Sequence, residues 1–419
     1  MMIKVNDLLI FLLALSGIAY LWFGGVSYIS GVHLPPIIAA ISICGVITIV
    51  LLRRKISIPP TAALLFRISL LLVTWIFIRD LFATREIALA MRVDGGRVLM
   101  GVLIAFSIWA LASNLRRLRF LTYVLIAAIA GSAIVAIGQY SLGEPFINLL
   151  PGGDRKLLTI QSGYISGLAA SSFIFGSQLC VCAPLVFGLF ISRSVRYRKT
   201  FLAIFILLFF SLLLSQSRSA IIGTLLGVSV ITWSGKRKGK ISFPLLGIAV
   251  YLLYGVYVNH RIVTFTDIST QAREPLFLAA LLTGFTHPLG TGRIAYKEVA
   301  SGFYEMVEKL AGAEGVLEAT AHNQFLNLLG YYGVPGMVLG IVFYIFLFRL
   351  FRISKSDSAS PRFLEGMRIG LLGGFTAYLI HTFFHNAGPF IGDPVNWYFI
   401  GLALATNNLA IRGYSGGKE

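Results

Sequence analysis

Charged side chains are scarce in this chain. They make up 12% of its 419 residues, whereas a soluble domain carries about a quarter. Acids are the scarcer sign, with 17 Asp and Glu against 35 Lys and Arg. A chain this poor in charge, 57% hydrophobic and with a mean hydropathy of +0.83, is excluded from the soluble globular proteins.

Cysteine is scarcer still. Cys44, Cys180 and Cys182 all lie within apolar runs, which indicates packing residues and excludes a disulfide framework. No soluble module remains that could use the net charge of +18 to bind nucleic acid. The first apolar run lacks a small-residue cleavage site, so we expect a retained helix rather than a signal peptide.

Apolar runs long enough to cross a hydrocarbon layer of ~30 Å as helices are abundant. They predict an all-α integral membrane protein, one polytopic domain over residues 1–419, with about twelve transmembrane helices. The polar cluster 215–219 divides the long apolar stretch 200–233 into two short spans joined by a tight turn. The predicted spans are 8–29, 36–52, 62–79, 97–113, 120–141, 168–192, 200–214, 219–233, 242–258, 325–348, 366–385 and 395–411.

Basic clusters predict the orientation. Each of them follows an even-numbered span, so all lie on one side together with both termini, and the positive-inside rule makes that side cytoplasmic. The outward side then carries a long loop, 259–321, which we predict to form short helices on the membrane surface. The clusters are 53–55, 116–119, 193–199, 236–240 and 349–355.

Arginines on the outward side, against that rule, are candidate binding residues. Arg218 follows Ser217 in the tight turn, and Arg273 stands before an apolar segment. Because guanidinium groups match phosphate oxygens in bidentate contacts, a pyrophosphate at membrane level is the expected ligand, and it would belong to a lipid-linked substrate. Arg293 is a weaker candidate, since solvated loop charges are common.

His322 is the candidate proton-transfer residue. It lies at the mouth of the span 325–348, followed by Asn323 and Gln324. Imidazole has an ordinary pKa of about 6.5 and can act as a base at neutral pH. A helix-capping or interfacial histidine is the alternative interpretation.

A second pair of histidines lies on the span 366–385. His381 and His385, one helical turn apart and followed by Asp393, could bind zinc. No third ligand has convincing spacing, so a polar contact between helices is the favoured interpretation. We therefore predict neither a metal nor another cofactor.

The candidate residues resemble a pattern of the O-antigen ligase and polymerase superfamily of bacterial envelope glycosyltransferases. Its ligase branch carries a His-[Asn/Ser/Gln]-x9-Gly-x-x-Gly pattern, which His322, Asn323, Gly333 and Gly336 meet here.

Two further elements of that superfamily are present in order. A Ser-Arg pair in an outward turn resembles Ser217 and Arg218, although the family's Arg-x3-Leu pattern has Ile222 in place of leucine here. An arginine before an apolar segment that ends in Pro-Leu-Gly-x-Gly resembles Arg273 and residues 288–292. The resemblance covers residues 200–350, and elsewhere it is one of topology only.

The resemblance implies a GT-C-like architecture in the bacterial inner (cytoplasmic) membrane, with the active site on the periplasmic side. It implies inverting, metal-independent transfer of a glycan from undecaprenyl pyrophosphate. His322 would orient or deprotonate the acceptor hydroxyl, while Arg218 and Arg273 would hold the pyrophosphate. Residues that complete the candidate set are Ser217, Asn323, Gln324 and Arg293.

Three functions stay open from the sequence. A ligase, whose acceptor is a sugar hydroxyl of lipid A-core, is favoured by the long loop 259–321 and the complete histidine pattern. A polymerase, whose acceptor is another lipid-linked repeat, is kept open by the spacing Arg273-x10-Gly284. A transporter or flippase is less favoured, because transporters place ionisable groups near the bilayer midplane.

Overall fold

The structure of the protein is a computed structural model, and it describes most of the chain. The described residues are 5–23, 28–29, 32–53, 59–143, 165–169, 171–192, 197–234, 273–311, 321–352, 362–384 and 394–411, with isolated residues between 247 and 255.

The described residues are overwhelmingly helical. The exception is a hairpin of two short antiparallel strands, β1 (Tyr28–Ile29) and β2 (Val32–His33). The π-helical turn Met91–Gly95 joins α4 to α5. The helices are α1 (Val5–Phe23), α2 (Leu34–Arg53), α3 (Pro60–Thr84), α4 (Ile87–Ala90), α5 (Gly96–Leu111), α6 (Leu115–Leu142), α7 (Ser172–Ile191), α8 (Arg198–Leu214), α9 (Arg218–Ser234), α10 (Arg273–Thr286), α11 (Arg293–Ala311), α12 (Gln324–Arg352), α13 (Arg362–Thr382) and α14 (Pro394–Ile411).

Six of these helices, α1, α3, α6, α7, α12 and α13, are long and apolar enough to cross a membrane. This agrees with the predicted membrane protein, whereas the predicted count of about twelve crossings stays a prediction. The predicted division of 200–233 is present, because α8 ends at Leu214 and α9 begins at Arg218. Between them Gln216 has φ 56°, a left-handed conformation that reverses the chain. The predicted span 242–258 lies largely outside the described residues.

Helix α7 forms the centre of the bundle, with 17 of its 20 residues buried. Close backbone approach holds α13 against it. A Cβ added at Gly370 of α13 would lie 2.7 Å from the carbonyl oxygen of Leu185 in α7. Helices in lipid associate mainly through such tight packing of small residues. The hydrophobic effect does not drive them together, because the surrounding lipid tails are as apolar as the helices.

Side-chain contacts between helix ends show which helix ends lie together at each end of the bundle. At one end Ser219, in the first turn of α9, contacts His381, in the last turn of α13. At the other end Arg117, in the first turn of α6, donates to Asp7 in the first turn of α1 at 2.8 Å. We call the first end the site rim and the second the basic rim. The His322 loop and the first residues of α9, α10 and α11 all belong to the site rim.

Candidate active site

The loop that carries His322 is closed by two asparagines. The N–H of Ala321 donates to Oδ1 of Asn327 at 2.8 Å, and Nδ2 of Asn323 donates to the carbonyl of Phe383 at 3.0 Å. His322 itself is half-buried and has φ 47°, in the left-handed region that few non-glycine residues adopt. Strained backbone of this kind concentrates at functional sites.

Asn323 also caps α12. Its Oδ1 accepts from the N–H groups of Phe325 at 2.9 Å and Leu326 at 3.1 Å, which have no partner within the helix. The same asparagine therefore sets both where α12 begins and how the His322 loop is attached to α13. Its place in the histidine motif has a structural reason as well as the proposed chemical one.

The predicted site residues converge on the last turn of α13. His381 is fully buried there, and its Nδ1 lies 2.9 Å from Oγ of Ser219, the neighbour of Arg218. Arg273, the first residue of α10, lies close enough to His381 to act on it electrostatically. Asn323 reaches Phe383, directly after this turn, so the three motif elements lie around the end of α13. We call this assembly the α13 hub.

For His381 the sequence offered two interpretations, zinc binding and a polar contact between helices, and the second holds. Its contact with Ser219 joins α13 to α9, which confirms the expected polar contact between helices. His385 and Asp393 lie outside the described residues. Within the part of the chain that the structure describes, no three His, Cys, Asp or Glu side chains form a group suited to a metal ion.

Arg218 begins α9 directly after the turn at Gln216, and Tyr251 lies within its electrostatic range. Before it, Ser217 has its carbonyl bonded to the N–H of Ile221 at 3.0 Å. The hydroxyl of Ser217 is buried, and it has no hydrogen-bond partner among the described residues. The turn therefore places Arg218 at the site rim, while the Ser217 hydroxyl packs against α7 beside Gly176.

The remaining motif glycines form a backbone joint between residues 288–292 and residues 330–334. Pro335 has no N–H, so the carbonyl of Tyr331 lacks its usual partner four residues on. The N–H of Gly292 supplies the missing bond at 2.8 Å. In return the N–H of Val334 donates to the carbonyl of Pro288 at 2.8 Å. The loop and the kinked helix thus satisfy each other's free backbone groups.

Glycine is required on both sides of this joint. Gly333 has φ 69° and Gly290 has φ 85°, conformations that cost an L-residue free energy. A Cβ on Gly290 would lie 2.5 Å from the amide nitrogen of Gly333, and a Cβ on Gly333 equally close to that of Gly290. The kink at Gly333 divides α12 into a first segment, 324–332, and a second, 334–352.

A buried acidic cluster supports the joint. Asp80 and Asp94 are fully buried, and each accepts from the hydroxyl of Tyr332, at 3.3 Å and 2.8 Å. Arg293 donates its backbone N–H to Asp80 at 3.0 Å and forms an ion pair with Asp94. Asp80 therefore caps the positive end of α11. We call these residues the acidic cluster.

Arg293 was predicted as a supporting residue of the site, and the structure places it in the acidic cluster. Burial acts to lower the pKa of its guanidinium, but the Asp94 carboxylate and the hydroxyls of Tyr331 and Tyr332 outweigh it and raise the pKa. The side chain is thus held charged as half of a structural ion pair.

A comparison with protein families identifies the segment that carries these features. Residues 203–341 match the family model described as O-antigen ligase. Residues 203–341, here called the ligase domain, are thus similar to the O-antigen ligase family. This confirms the superfamily that the motifs indicate, and the match covers about a third of the chain. No curated protein matches the chain.

The ligase domain contains the motif residues and the joint, but not everything they contact. Asp80 and Asp94 lie before it and His381 after it. The contacts of Asp80 and Asp94 with Arg293 were not predicted from the sequence. Their signal was their rarity, since an aspartate near the end of an apolar run has few reasons to be there.

An apolar groove of about 1010 Å³ leads away from the ligase motif between α12 and α13. Asn323 and Phe383 line it at the site rim, and Arg349 lines it towards the basic rim. Its other lining residues are Phe325, Leu326, Ile341, Tyr344, Ile345, Phe348, Leu372 and Leu379.

Proposed function

We propose that this protein is a glycosyltransferase of the O-antigen ligase type. It moves a glycan from undecaprenyl pyrophosphate to a sugar hydroxyl of lipid A-core, with inversion at the transferred sugar. The observation that carries the proposal is the α13 hub. There the His322 loop, Arg273 and the turn of Arg218 meet, although they are far apart in sequence. Membership of the ligase domain in that family supports the reaction class.

In this reaction the acceptor hydroxyl attacks the anomeric carbon of the donor sugar. His322 takes the proton of that hydroxyl as the new glycosidic bond forms, and the bond to the pyrophosphate oxygen breaks with its electron pair on the leaving group. General-base assistance of this kind contributes about 10²–10⁴ in rate. The products are the extended acceptor and undecaprenyl pyrophosphate.

The guanidinium groups of Arg218 and Arg273 act on the leaving group. Negative charge grows on the departing pyrophosphate while cationic character grows at the sugar carbon. Donors that are already oriented towards that charge stabilise the transition state, and the loss of one costs about 10²–10³ in rate. Bidentate contact with phosphate oxygens favours arginine over lysine in this role.

The groove between α12 and α13 supports a lipid-linked donor. Its volume is at the upper end of the ~300–1,000 Å³ usual for ligand sites, and its lining is almost wholly apolar. It begins at Asn323, so a lipid chain lying in it would bring its head group to the α13 hub. The membrane would then hold donor and acceptor in one plane, which lowers the entropic cost of their encounter.

The charge distribution supports a periplasmic site. Arg117, Arg349 and Arg368 belong to helix ends on the basic rim, opposite the α13 hub. Since basic residues mark the cytoplasmic side, the hub would face the periplasm of a bacterial inner membrane.

The proposal is tested by transfer with purified protein. Wild-type protein in lipid is given an undecaprenyl-pyrophosphate-linked glycan and lipid A-core, and the capped lipid A-core is resolved on a gel. We expect a capped product and release of undecaprenyl pyrophosphate. Joined repeats on the lipid carrier, with lipid A-core untouched, would instead identify a polymerase.

A further inference from the structure

Three amide side chains lie in or next to the first turn of α12, and they differ in how they are bonded. Asn323 uses both ends of its amide and Asn327 uses its oxygen, and together they close the His322 loop. Gln324 lies between them and is 0% exposed. Neither its Nε2 nor its Oε1 has a hydrogen-bond partner among the described residues.

A buried amide without hydrogen bonds is unfavourable, because folding has removed its water and returned nothing. Native proteins contain few such groups, and each requires a reason. Packing alone does not supply one, since methionine has nearly the same length and volume and carries no polar group to desolvate.

The unsatisfied amide has a strained neighbour. His322, two residues earlier, has its backbone at φ 47°. Two unfavourable features thus occur within three residues, in the loop and turn that carry the ligase motif. Sequences depart from stable local choices mainly where function demands it.

We propose that Gln324 is a substrate-binding residue whose amide binds a sugar of the transferred glycan or of its acceptor. An amide both donates and accepts, so its partner is a group that does the same, such as neighbouring hydroxyls or an acetamido group. This inference rests on the proposed glycosyl transfer. Gln324 lies two residues from His322 in the chain, so a sugar bound at its amide would lie near the proposed base.

Because Gln324 is fully buried, sugar binding requires a local rearrangement of the His322 loop. Two side-chain hydrogen bonds attach this loop, from Ala321 to Asn327 and from Asn323 to Phe383. Rearrangement would allow His322 to leave its left-handed backbone conformation, which favours the opened form. Sugar binding then satisfies the amide that the closed form leaves without partners.

The test is Gln324→Met, measured for thermal unfolding in detergent and for transfer kinetics. Removal of the unsatisfied amide should leave the melting temperature unchanged or raise it. Transfer should fall by at least ten-fold, with a raised KM for one sugar substrate. A raised KM for the acceptor assigns the bound sugar to lipid A-core, and a raised KM for the donor assigns it to the lipid-linked glycan.

Asn408→Leu is the matched control. Asn408 is 4% exposed, and its Oδ1 lacks a partner among the described residues, but it lies 12 residues beyond Asn396 on α14, roughly 18 Å towards the basic rim. The control should keep wild-type transfer, because no substrate is proposed there.

Several results would overturn the assignment. Gln324→Met with wild-type kinetics would show that the amide binds nothing. Loss of folding, or loss of kcat with both KM values unchanged, would show a structural or positioning role instead. If the wild-type protein transfers no glycan at all, the proposed function fails and not only the role of Gln324.

Discussion

The α13 hub and the joint lie on the same rim of the bundle and are built in opposite ways. In the joint, backbone groups freed by Pro335 and Gly333 find partners in residues 288–292. In and beside the hub, Gln324 and the Ser217 hydroxyl are buried without partners among the described residues. The free backbone groups of the joint are thus satisfied by the chain itself, whereas the hub region keeps buried polar atoms without partners in the described part of the chain.

This difference separates two kinds of motif residue. The glycines of the histidine pattern and of the Pro-Leu-Gly-x-Gly segment pack against each other in the joint. They are therefore required for folding. His322, Arg218 and Arg273 lie at separate helix ends around the α13 hub, so we predict that they act on the substrate and not on folding. Variants in the hub should lose transfer and keep stability, and variants in the joint should do the reverse.

The largest effect is expected for His322→Ala. Transfer should fall by about 10²–10⁴, because the acceptor hydroxyl loses its base. Transfer is measured with purified protein, and unfolding is followed separately to show that the protein is intact. His287→Ala is the control, since this histidine is exposed and its side chain hydrogen-bonds only to Thr286 in the described part of the chain. Equal transfer by both variants would remove His322 from the chemistry.

Arginine variants should rank next. Arg273→Ala should reduce transfer by about 10²–10³, and Arg273→Lys should recover only part of it, because lysine cannot form the bidentate contact. Inhibition by added inorganic pyrophosphate gives an independent readout, and it should weaken in the Ala variant. Lys297→Ala, at an exposed site on α11, should leave both measurements unchanged. Full rescue by lysine would argue for simple charge and against a bidentate clamp.

Gly333→Ala should act on stability instead. Alanine at φ 69° and ψ −169°, a backbone region that is almost restricted to glycine, costs about 1–3 kcal/mol, and the close approach of Gly290 adds roughly 1–3 kcal/mol. The melting temperature should fall, and transfer should fall only in proportion to the folded protein. Gly302→Ala is the matched control, because a Cβ there meets nothing within 4 Å and should stabilise α11 by about 0.5–1 kcal/mol. An inactive but stable Gly333→Ala protein would contradict the division into two regions.

The smallest effect concerns the acidic cluster. Asp94→Asn should destabilise by about 2–3 kcal/mol, below the ~3–5 typical of a fully buried pair, because the Arg293 side chain is 34% exposed. Asp94→Asn combined with Arg293→Gln should recover part of this loss, since neither member of the ion pair is then left charged without the other. A double-mutant cycle on the free energy of unfolding measures the coupling. Additive losses would show that the two residues do not act as a pair.

The sequence predicted the features that depend on neighbours along the chain. Apolar runs predicted the helices α1 to α3, α5 to α9 and α12 to α14, and the polar residues around Gln216 predicted the boundary between α8 and α9. Asn323 was predicted at a helix mouth, where a cap is expected. These features follow from local hydrophobicity and from the hydrogen-bonding capacity of single side chains.

The contacts between distant residues could not be predicted in the same way. Asp80 and Arg293 are 213 positions apart, and Ser219 and His381 are 162 apart. Helices in lipid carry little periodicity to show which of their faces meet, because lipid and protein interiors are about equally apolar. The role of His381 as a contact point for the hub therefore required the fold.

The joint has a mechanical consequence. Helix α10 begins with Arg273 and leads at its other end into residues 288–292, which are bonded to the kink at Gly333. A displacement of α10 is therefore transmitted to the first segment of α12, and so to the His322 loop. The proposed pyrophosphate-binding residue Arg273 and the proposed base His322 thus lie on two segments that are joined at Gly333.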